Sequence, residues 1–206
     1  MDDASRAKVE SESRLLCGRG DYTKAATLAI RSYGPEIFGF LLAVHRDRDD
    51  ASDAFSGFAE ALWRGLPSFA WESALRTWAY AIARNVSHQQ RRDAGRRAKR
   101  MYPGGESALE AVAVAVRTET LGFVRTETRT RLEQLRDGLP PDDQMLLVLR
   151  VDRGLSWNEL ARVLSERGEG GGVDLPKESA RLRKRFQLVK DKLHELARRE
   201  GLIAER

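Results

Sequence analysis

The stretch RTWAYAIARNVSHQQRR, residues 76–92, decides the fold class of this chain. Apolar side chains recur here at intervals of three and four residues, at Leu75, Trp78, Ala79, Ile82 and Val86. This spacing is typical of an amphipathic α-helix. Residues 51–63 repeat the spacing, whereas alternating apolar and polar strand patterns are nearly absent from the 206 residues. The sequence therefore predicts an all-α protein.

A second helical block lies in the C-terminal half. Two prolines and two aspartates at residues 140–143 suit the first turn of a helix, and Gly154 is suited to ending it. Ser156 and Glu159 have the spacing of a capping box at the start of the next helix. A long helix from about Pro176 then carries one apolar stripe, formed by Leu182, Phe186, Val189, Leu193 and Leu196.

The segment between the two blocks has a different composition. It contains YPGGES at residues 102–107, an Ala/Val run at 111–116 and a Thr-rich polar stretch. Burial of so small an apolar area cannot offset the loss of backbone entropy when the segment becomes ordered. We therefore expect a flexible linker with at most one short helix. The predicted organisation is an N-terminal tail (1–20), a first domain (21–100), the linker (101–127) and a second domain (128–206).

Positive charge is concentrated in the last helix of each block. The chain has 36 basic and 31 acidic residues, a net charge of +5, but residues 76–100 hold eight basic residues and one acid. Residues 176–199 hold nine basic residues and three acids. An acidic cluster, Asp47, Asp49, Asp50 and Asp53, begins the helix at residues 51–63. Either basic helix alone is equally well explained as a solvated face, but the pair suggests two nucleic-acid contacts and an acidic face for another partner.

The two basic helices differ in what they offer to nucleic acid. In the first, Arg76, Tyr80, Arg84, Ser87 and Arg91 recur at near-helical spacing opposite the apolar stripe. We expect an exposed ring and cations there, suited to stacking bases and following phosphates. In the second, a long helix follows a shorter one across a turn. This is the order of a helix-turn-helix, whose second helix lies in the major groove.

The composition argues against several other classes. A single cysteine, Cys17, cannot form an internal disulfide, which favours a reducing cytoplasm, and with three histidines it cannot supply a Cys/His zinc cluster. The histidines lie in no metal or nucleophile motif, and the glycines at 168–172 lack the features of a phosphate-binding loop. The N-terminus has no apolar signal segment, and no apolar run has membrane-spanning length. We expect no catalytic site, metal, cofactor or membrane partner.

These motifs together resemble a known family. Residues 76–92 are similar to the domain-two motif of the extracytoplasmic-function sigma factors of bacterial RNA polymerase, and DDASDAFSGFAEALWRGLPSF, residues 49–69, resembles its polymerase-binding segment. Residues 138–164 with the helix after Pro176 resemble domain four, a helix-turn-helix that reads the minus-35 element. The resemblance implies a protein that binds core polymerase, directs it to promoters and assists promoter opening.

The resemblance also assigns residues to the minus-10 element. The loop at 69–73 would capture a base flipped from the non-template strand, Asn85 would line its pocket, and Trp78 would abut the upstream fork of the opening duplex. From position alone, Trp78 is equally a core residue and Asn85 equally a solvated one. The implied minus-10 set is Phe69, Trp71, Ser73, Arg76, Trp78, Tyr80, Arg84, Asn85 and Arg91.

Two further sets follow from the same resemblance. The minus-35 set is Lys177, Arg181, Arg183, Lys184 and Gln187, and the polymerase-binding set is Asp50, Asp53, Ser56, Glu60 and Trp63. The family usually has Gln-Glu where this chain has Ser56 and Gly57. The turn of the helix-turn-helix, usually about 3 to 4 residues, is about ten residues longer here. The added loop, with Gly168 to Val173, either bulges out or alters docking, and the unbroken core stripes favour a bulge.

The implied partners are core RNA polymerase and promoter DNA, with an anti-sigma factor as a candidate third. The main alternative is a stand-alone helix-turn-helix regulator, which would explain the C-terminal block but would have no need of Trp78 or the acidic helix. A helical module that binds only proteins is the other alternative. Binding to core polymerase distinguishes the sigma factor from both.

Overall fold

The computed structural model describes residues 1–94, 108–124, 135–136, 138–165 and 173–201. All regular secondary structure in these residues is helical, which confirms the all-α prediction. The chain forms two compact units, Met1–Arg125 and Thr126–Arg206, and each is described by itself. Among the helices of the described ranges, none has the length and apolar character needed to cross a membrane.

The first unit is built around one buried helix. Its described helices are α1 (Asp3–Gly18), α2 (Tyr22–His45), α3 (Arg48–Gly65), a 3-10 turn (Leu66–Ser68), α4 (Leu75–Ala94) and α5 (Ala108–Val124). Helix α2 packs against each of the other four α-helices. Its buried residues are Ala25, Ala26, Ala29, Ile30, Tyr33, Gly34, Ile37, Phe38, Phe40, Leu41 and Val44. A helix that is apolar on most sides belongs in the middle of a bundle.

Helices α3 and α4 present the predicted stripes to this core. Ala51, Ala54, Phe55, Phe58 and Leu62 of α3 are buried, as are Leu75, Trp78 and Ala79 of α4. Trp63 follows the same spacing but is 41% exposed. Asp47 caps α3 by accepting a hydrogen bond from the Asp50 backbone N–H at 2.8 Å. The start of α3 is also tied to α4, because the Gln90 side-chain amide donates to the Asp50 carbonyl at 3.0 Å.

The prediction of an N-terminal tail at residues 1–20 is wrong. Most of this segment forms α1, which packs on α2. Asp2 caps it, accepting from the Ser5 N–H at 2.7 Å, and the Tyr33 hydroxyl of α2 donates to Glu10 at 2.9 Å. The apolar pattern gives little indication of this helix, because the residue that it buries, Ser13, is polar and because a carboxylate, Glu10, joins it to α2.

The prediction of a flexible linker with at most one short helix is also wrong for residues 108–124, which form a 17-residue helix. Helix α5 packs on α2 and α3, burying Leu109, Ala113 and Val116. The Arg117 guanidinium donates to the Ser52 carbonyl at 3.2 Å and to Ser56 Oγ at 2.6 Å. A small apolar run suffices here because it adds to an existing core instead of building its own. The other linker residues, 101–107 and 125–127, lie outside the described residues.

The second unit contains the predicted helix pair. Its described elements are α6 (Pro141–Leu147), a π-helical segment (Val148–Asp152), α7 (Trp157–Leu164) and α8 (Leu175–Arg199). The capping box of Ser156 and Glu159 is confirmed, and Gly154 has a left-handed backbone, φ 67°. Leu139, Leu147 and Val189 form one buried cluster, against which Phe186, Leu193 and Leu196 pack.

A methyl group at Gly34 should loosen α5. A Cβ there would lie 2.9 Å from Val116 Cγ1 and 3.3 Å from the Phe55 ring, closer than side chains pack. We expect Gly34→Ala to destabilise the first unit by about 1 to 3 kcal/mol. Amide hydrogen exchange in residues 108–124 should accelerate. Gly18→Ala is the matched control, because a Cβ at Gly18 meets nothing within 4 Å. Equal exchange in the two variants would contradict the packing described for α5.

Candidate nucleic-acid and polymerase interface

Three aromatic rings come together where the chain enters α4. Phe69 stacks on Trp78 with ring centroids 4.3 Å apart and an interplanar angle of 11°, and it meets Trp71 at 4.7 Å. Trp78 is only 3% exposed, and its indole N–H has no hydrogen-bond partner within the described residues. A Cβ at Gly65 would lie 2.8 Å from the Trp78 ring. Trp78 is therefore wedged between Gly65 and Phe69.

The loop that precedes α4 has an uncommon backbone. Trp71 has a left-handed φ of 58°, which is strained for a bulky side chain. The guanidinium of Arg14, on α1, lies over the Trp71 ring, 5.6 Å from its centroid. Ser73 is partly buried, and its hydroxyl donates to the Ala74 carbonyl at 3.3 Å. The loop thus contacts α1 through Arg14 and contains a local hydrogen bond of its own.

Glu10 of α1 caps helix α4 from a distance in sequence. Its carboxylate accepts hydrogen bonds from the Leu75 N–H at 2.7 Å and the Arg76 N–H at 3.1 Å. These first-turn amides have no partner within the helix, and a negative charge is favourable at this end. Burial and the adjacent Glu10 carboxylate raise the pKa of Tyr33, whose hydroxyl donates to the same group.

The expectation of an exposed basic and aromatic face on α4 is wrong. Arg76 is 7% exposed, and Tyr80 and Ser87 are fully buried. Arg76 makes a two-point ion pair with Glu36 of α2, at 2.7 and 3.0 Å, and Arg91 donates to the Val44 carbonyl at 2.6 Å. Tyr80 packs edge-on against Phe40, with centroids 5.7 Å apart. This face lies inward because α4 packs on both α2 and α3.

Fewer of the predicted minus-10 residues lie on the outer face of α4 than the sequence suggests. Asn85 is exposed and accepts a hydrogen bond from the partly buried Arg84 at 3.2 Å. Asn85 follows Trp78 by two helical turns, so both lie on one side of α4, about 10 Å apart along its axis. Of the predicted minus-10 residues, the structure therefore brings together Phe69, Trp71 and Trp78, with Asn85 further along the same side.

The predicted polymerase-binding residues lie along α3. Asp53 and Trp63 are exposed, and Asp50 is partly exposed. Glu60 is also partly exposed and pairs with Arg64 at 2.7 Å. Ser56 differs from these residues, because its hydroxyl accepts the hydrogen bond from Arg117 of α5. Four of these five side chains are therefore exposed or partly exposed on α3, and the fifth, Ser56, is hydrogen-bonded to α5.

In the second unit, α8 presents the predicted minus-35 residues to solvent. All five are exposed: Lys177, Arg181, Arg183, Lys184 and Gln187. Leu182 and Val189, on the opposite side, are each 1% exposed, which confirms the predicted core stripe. Two of the five make local contacts, since Arg181 pairs with Glu178 at 2.9 Å and Gln187 donates to Asp191 at 3.2 Å.

Helix α8 is joined to α7 across the predicted turn. Ser179 Oγ lies 3.1 Å from the Trp157 carbonyl and 3.0 Å from Asn158 Oδ1. The Trp157 ring meets Phe186 edge-on at 5.6 Å, and the Arg183 guanidinium lies 5.8 Å from the same ring. The glycines of the inserted loop, 168–172, lie outside the described residues, and Asp174 after them caps α8 by accepting from the Lys177 N–H at 3.1 Å.

Sequence reasoning missed the acids that fix these surfaces. Asp143 of α6 is 5% exposed and accepts from Arg185 Nε at 2.7 Å and from Lys192 Nζ at 3.3 Å. Glu10 and Glu36 have the equivalent role in the first unit. The sequence marks Asp143 only as a first-turn aspartate, and no local motif marks Glu10 or Glu36, because the partners of these acids lie two or three helices further along the chain.

A known family matches part of the first unit, and a known protein aligns with most of the chain. Residues 29–97 match the family described as Sigma-70 region 2, a range that includes α3, the aromatic cluster and α4. The chain is 30% identical over 155 residues to the RNA polymerase sigma-H factor of Pseudomonas aeruginosa, an alignment that spans 71% of this chain and 77% of that protein. No solved structure matches the chain.

Removing the charge of Asp143 should loosen α8. Asp143→Asn removes the anion that lies closest to Arg185 and pairs with Lys192, and we expect the second unit to lose about 1 to 3 kcal/mol of stability. Asp142→Asn is the matched control, because this neighbouring side chain is 55% exposed and 3.9 Å from Arg185. Urea denaturation followed by circular dichroism compares them. Equal midpoints would show that Asp143 does not anchor α8.

Proposed function

Because the chain belongs to the sigma factors, which act with core RNA polymerase on promoter DNA in transcription initiation, we propose that its two units divide the work between melted and duplex DNA. The first unit would bind polymerase and the melted minus-10 strand, and the second would bind the minus-35 duplex. We assign the chain to the extracytoplasmic-function group, acting in the cytoplasm. The resemblance of residues 76–92 and the helix pair α7 and α8 support this assignment.

The aromatic cluster before α4 is the observation that carries the minus-10 proposal. Phe69 and Trp78 form a stacked pair, and Trp71 extends the apolar surface at the edge of the unit. A flipped base needs a stacking wall and an amide that reads its edge, and Asn85 supplies the amide on the same side of α4. Ser73, in the loop, and Arg84, which donates to Asn85, are both partly exposed.

Three residues of the implied minus-10 set act differently in this proposal. Arg76, Tyr80 and Arg91 are engaged with α2, through Glu36, Phe40 and the Val44 carbonyl respectively. Their role is to orient α4 on α2, which sets the direction in which the side with Trp78 and Asn85 faces. We therefore expect these residues to support DNA binding without contacting DNA.

Helix α8 would enter the major groove at the minus-35 element. Arginine there can bond guanine O6 and N7 bidentately, and Arg183 and Lys184 are exposed near the middle of the helix. Lys177, in the first turn, is placed for a phosphate. Because Arg183 also lies over Trp157, its guanidinium is partly oriented before DNA arrives.

Helix α3 would bind the coiled-coil clamp of the largest polymerase subunits. Asp50, Asp53 and Glu60 supply an acidic surface, and exposed Trp63 supplies an apolar contact at its end. An anti-sigma factor that covers this surface is a further partner in the proposal. We assign no catalytic residue to the chain, because polymerase supplies the chemistry.

Charge reversal on α3 should weaken binding to core polymerase. We expect Asp50→Lys with Asp53→Lys to lower the affinity at least about tenfold, because complementary charge then becomes repulsive. The control is Asp3→Lys with Glu12→Lys, two exposed acids of α1. Fluorescence anisotropy with labelled protein gives both affinities, after circular dichroism has shown matched helicity. An unchanged affinity would remove α3 from the polymerase interface.

The two DNA-binding surfaces should fail in different ways. Arg183→Ala or Lys184→Ala should cost about 1 to 3 kcal/mol of discrimination at minus-35 and weaken the closed complex. Asn85→Ala should leave upstream binding intact and reduce opening, because its partner exists only when a base has left the stack. Start sites mapped after transcription of a genomic fragment library supply the promoter.

Permanganate reactivity at minus-10 and a footprint at minus-35 separate these outcomes. Lys8→Ala, which removes an exposed cation from α1, is the control for non-specific charge loss. Normal opening by Asn85→Ala on both duplex and pre-melted templates would exclude the base-capture role of Asn85. An unaltered footprint in both α8 variants would exclude base reading by Arg183 and Lys184.

A further inference from the structure

We propose that helix α1 positions the capture loop, residues 69–74, through Glu10 and Arg14, an inference that rests on the base-capture function proposed for this loop. The two side chains lie about one turn apart on α1 and reach two different points, Glu10 the end of the loop and Arg14 its middle. Glu10 binds the backbone where the loop enters α4, and Arg14 lies over the Trp71 ring. Neither residue needs to contact DNA for this role.

The cap on α4 comes from another helix. Loop side chains often cap the helix that follows them, but the Ser73 hydroxyl donates to the Ala74 carbonyl instead. The two first-turn amides, of Leu75 and Arg76, are bonded to Glu10, about 65 residues earlier in the chain. A carboxylate that accepts from both amides at once fixes the angle at which the loop enters the helix.

Arg14 acts at the strained point of the loop. Trp71 has its left-handed backbone here, a conformation that persists only where the surroundings hold it. Its ring has Arg14 on one side and meets Phe69, which stacks on Trp78. A continuous set of contacts therefore runs from α1 through Trp71 and Phe69 to the proposed stacking wall.

The consequence is a loop that is ordered before a base arrives. A loop without these contacts would lose its conformational freedom on capture, which weakens binding and discrimination. Polymerase binding through α3 and duplex binding through α8 do not involve Glu10 or Arg14. Loss of either side chain should therefore impair selection of single-stranded DNA while leaving core binding unchanged.

Glu10 has a second contact that separates positioning from general stabilisation. The Tyr33 hydroxyl of α2 donates to the same carboxylate, at 2.9 Å. Tyr33→Phe removes this bond between α1 and α2 but leaves both α4 amides capped. If Glu10 acted only by attaching α1 to the bundle, Tyr33→Phe and Glu10→Gln would have the same effect. Positioning predicts an effect from Glu10→Gln alone.

The test uses the full chain bound to core polymerase and a library of random-sequence single-stranded DNA. Sequencing the bound fraction gives the base preference of each holoenzyme, and duplex contacts of α8 do not contribute. Loss of a charge-assisted hydrogen bond changes an equilibrium by about tenfold, so we expect Glu10→Gln to reduce the preference by about that factor. Arg14→Ala should reduce it by a smaller factor.

Matched controls lie on the same helix, at Glu12, and at its C-terminal cap, Arg19. Glu12→Gln and Arg19→Ala make comparable changes at exposed positions, and both should keep the wild-type preference, as should Tyr33→Phe. Core affinity should be unchanged in every variant. Hydrogen exchange of the Leu75 and Arg76 amides in the full chain should accelerate in Glu10→Gln only. If Glu10→Gln fails to fold, the exposed Arg14→Ala substitution decides the question.

The outcomes distinguish positioning by α1 from the base-capture function on which it rests. If wild-type holoenzyme selects no sequence, base capture and its positioning by α1 are both overturned. If Asn85→Ala flattens the preference while Glu10→Gln and Arg14→Ala retain it, positioning alone is overturned. If Tyr33→Phe reduces the preference as much as Glu10→Gln, attachment of α1 explains the effect and positioning is overturned. Selective loss in Glu10→Gln and Arg14→Ala, with normal core binding, supports the proposal.

Discussion

Burial of α2 on most of its surface is the constraint on which the first unit depends. Full burial of a Leu, Ile or Phe side chain contributes about 1.5 to 3 kcal/mol, and α2 carries several such residues. Because α1, α3, α4 and α5 all pack on it, any polar group facing α2 needs a partner. Arg76 has Glu36, and Arg91 has the Val44 carbonyl. These pairs fix the rotation of α4 and thereby leave Asn85 outside.

Periodicity was sufficient to predict the elements whose apolar stripe is strong. The stripes of α3 and α8, and the capping box before α7, follow from local sequence alone. Local sequence does not predict helices α1 and α5, because each packs on a surface formed by other helices. Helix α1 is held through the hydrogen bond between Glu10 and Tyr33, and α5 fits because Gly34 leaves space for Val116. A stretch too poor in apolar area to form a core can still complete one.

Dependence on distant parts of the chain also explains why the prediction of an exposed basic face on α4 is wrong. Basic residues at helical spacing on α4 suggested an exposed face, but the position of Glu36, about 40 residues earlier, turned Arg76 inward. On α8 the comparable acid, Asp143, engages Arg185 and Lys192 and leaves Arg183 and Lys184 on the solvent side. Counting charges along a helix therefore overestimates its interface, and the acids of its packed face decide which cations remain available.

The arrangement around α2 also separates the two surfaces that we propose for polymerase and for single-stranded DNA. The acidic residues of α3 and the aromatic cluster before α4 rest on the same core, but the contacts described for them involve different side chains. Glu60 pairs with Arg64, whereas Glu10 and Arg14 contact the loop and the start of α4. Sites without shared partners usually behave additively. Under the proposed assignments, substitutions can therefore change polymerase affinity and base selection independently, whereas replacements in α2 would alter both, because α2 packs on both α3 and α4.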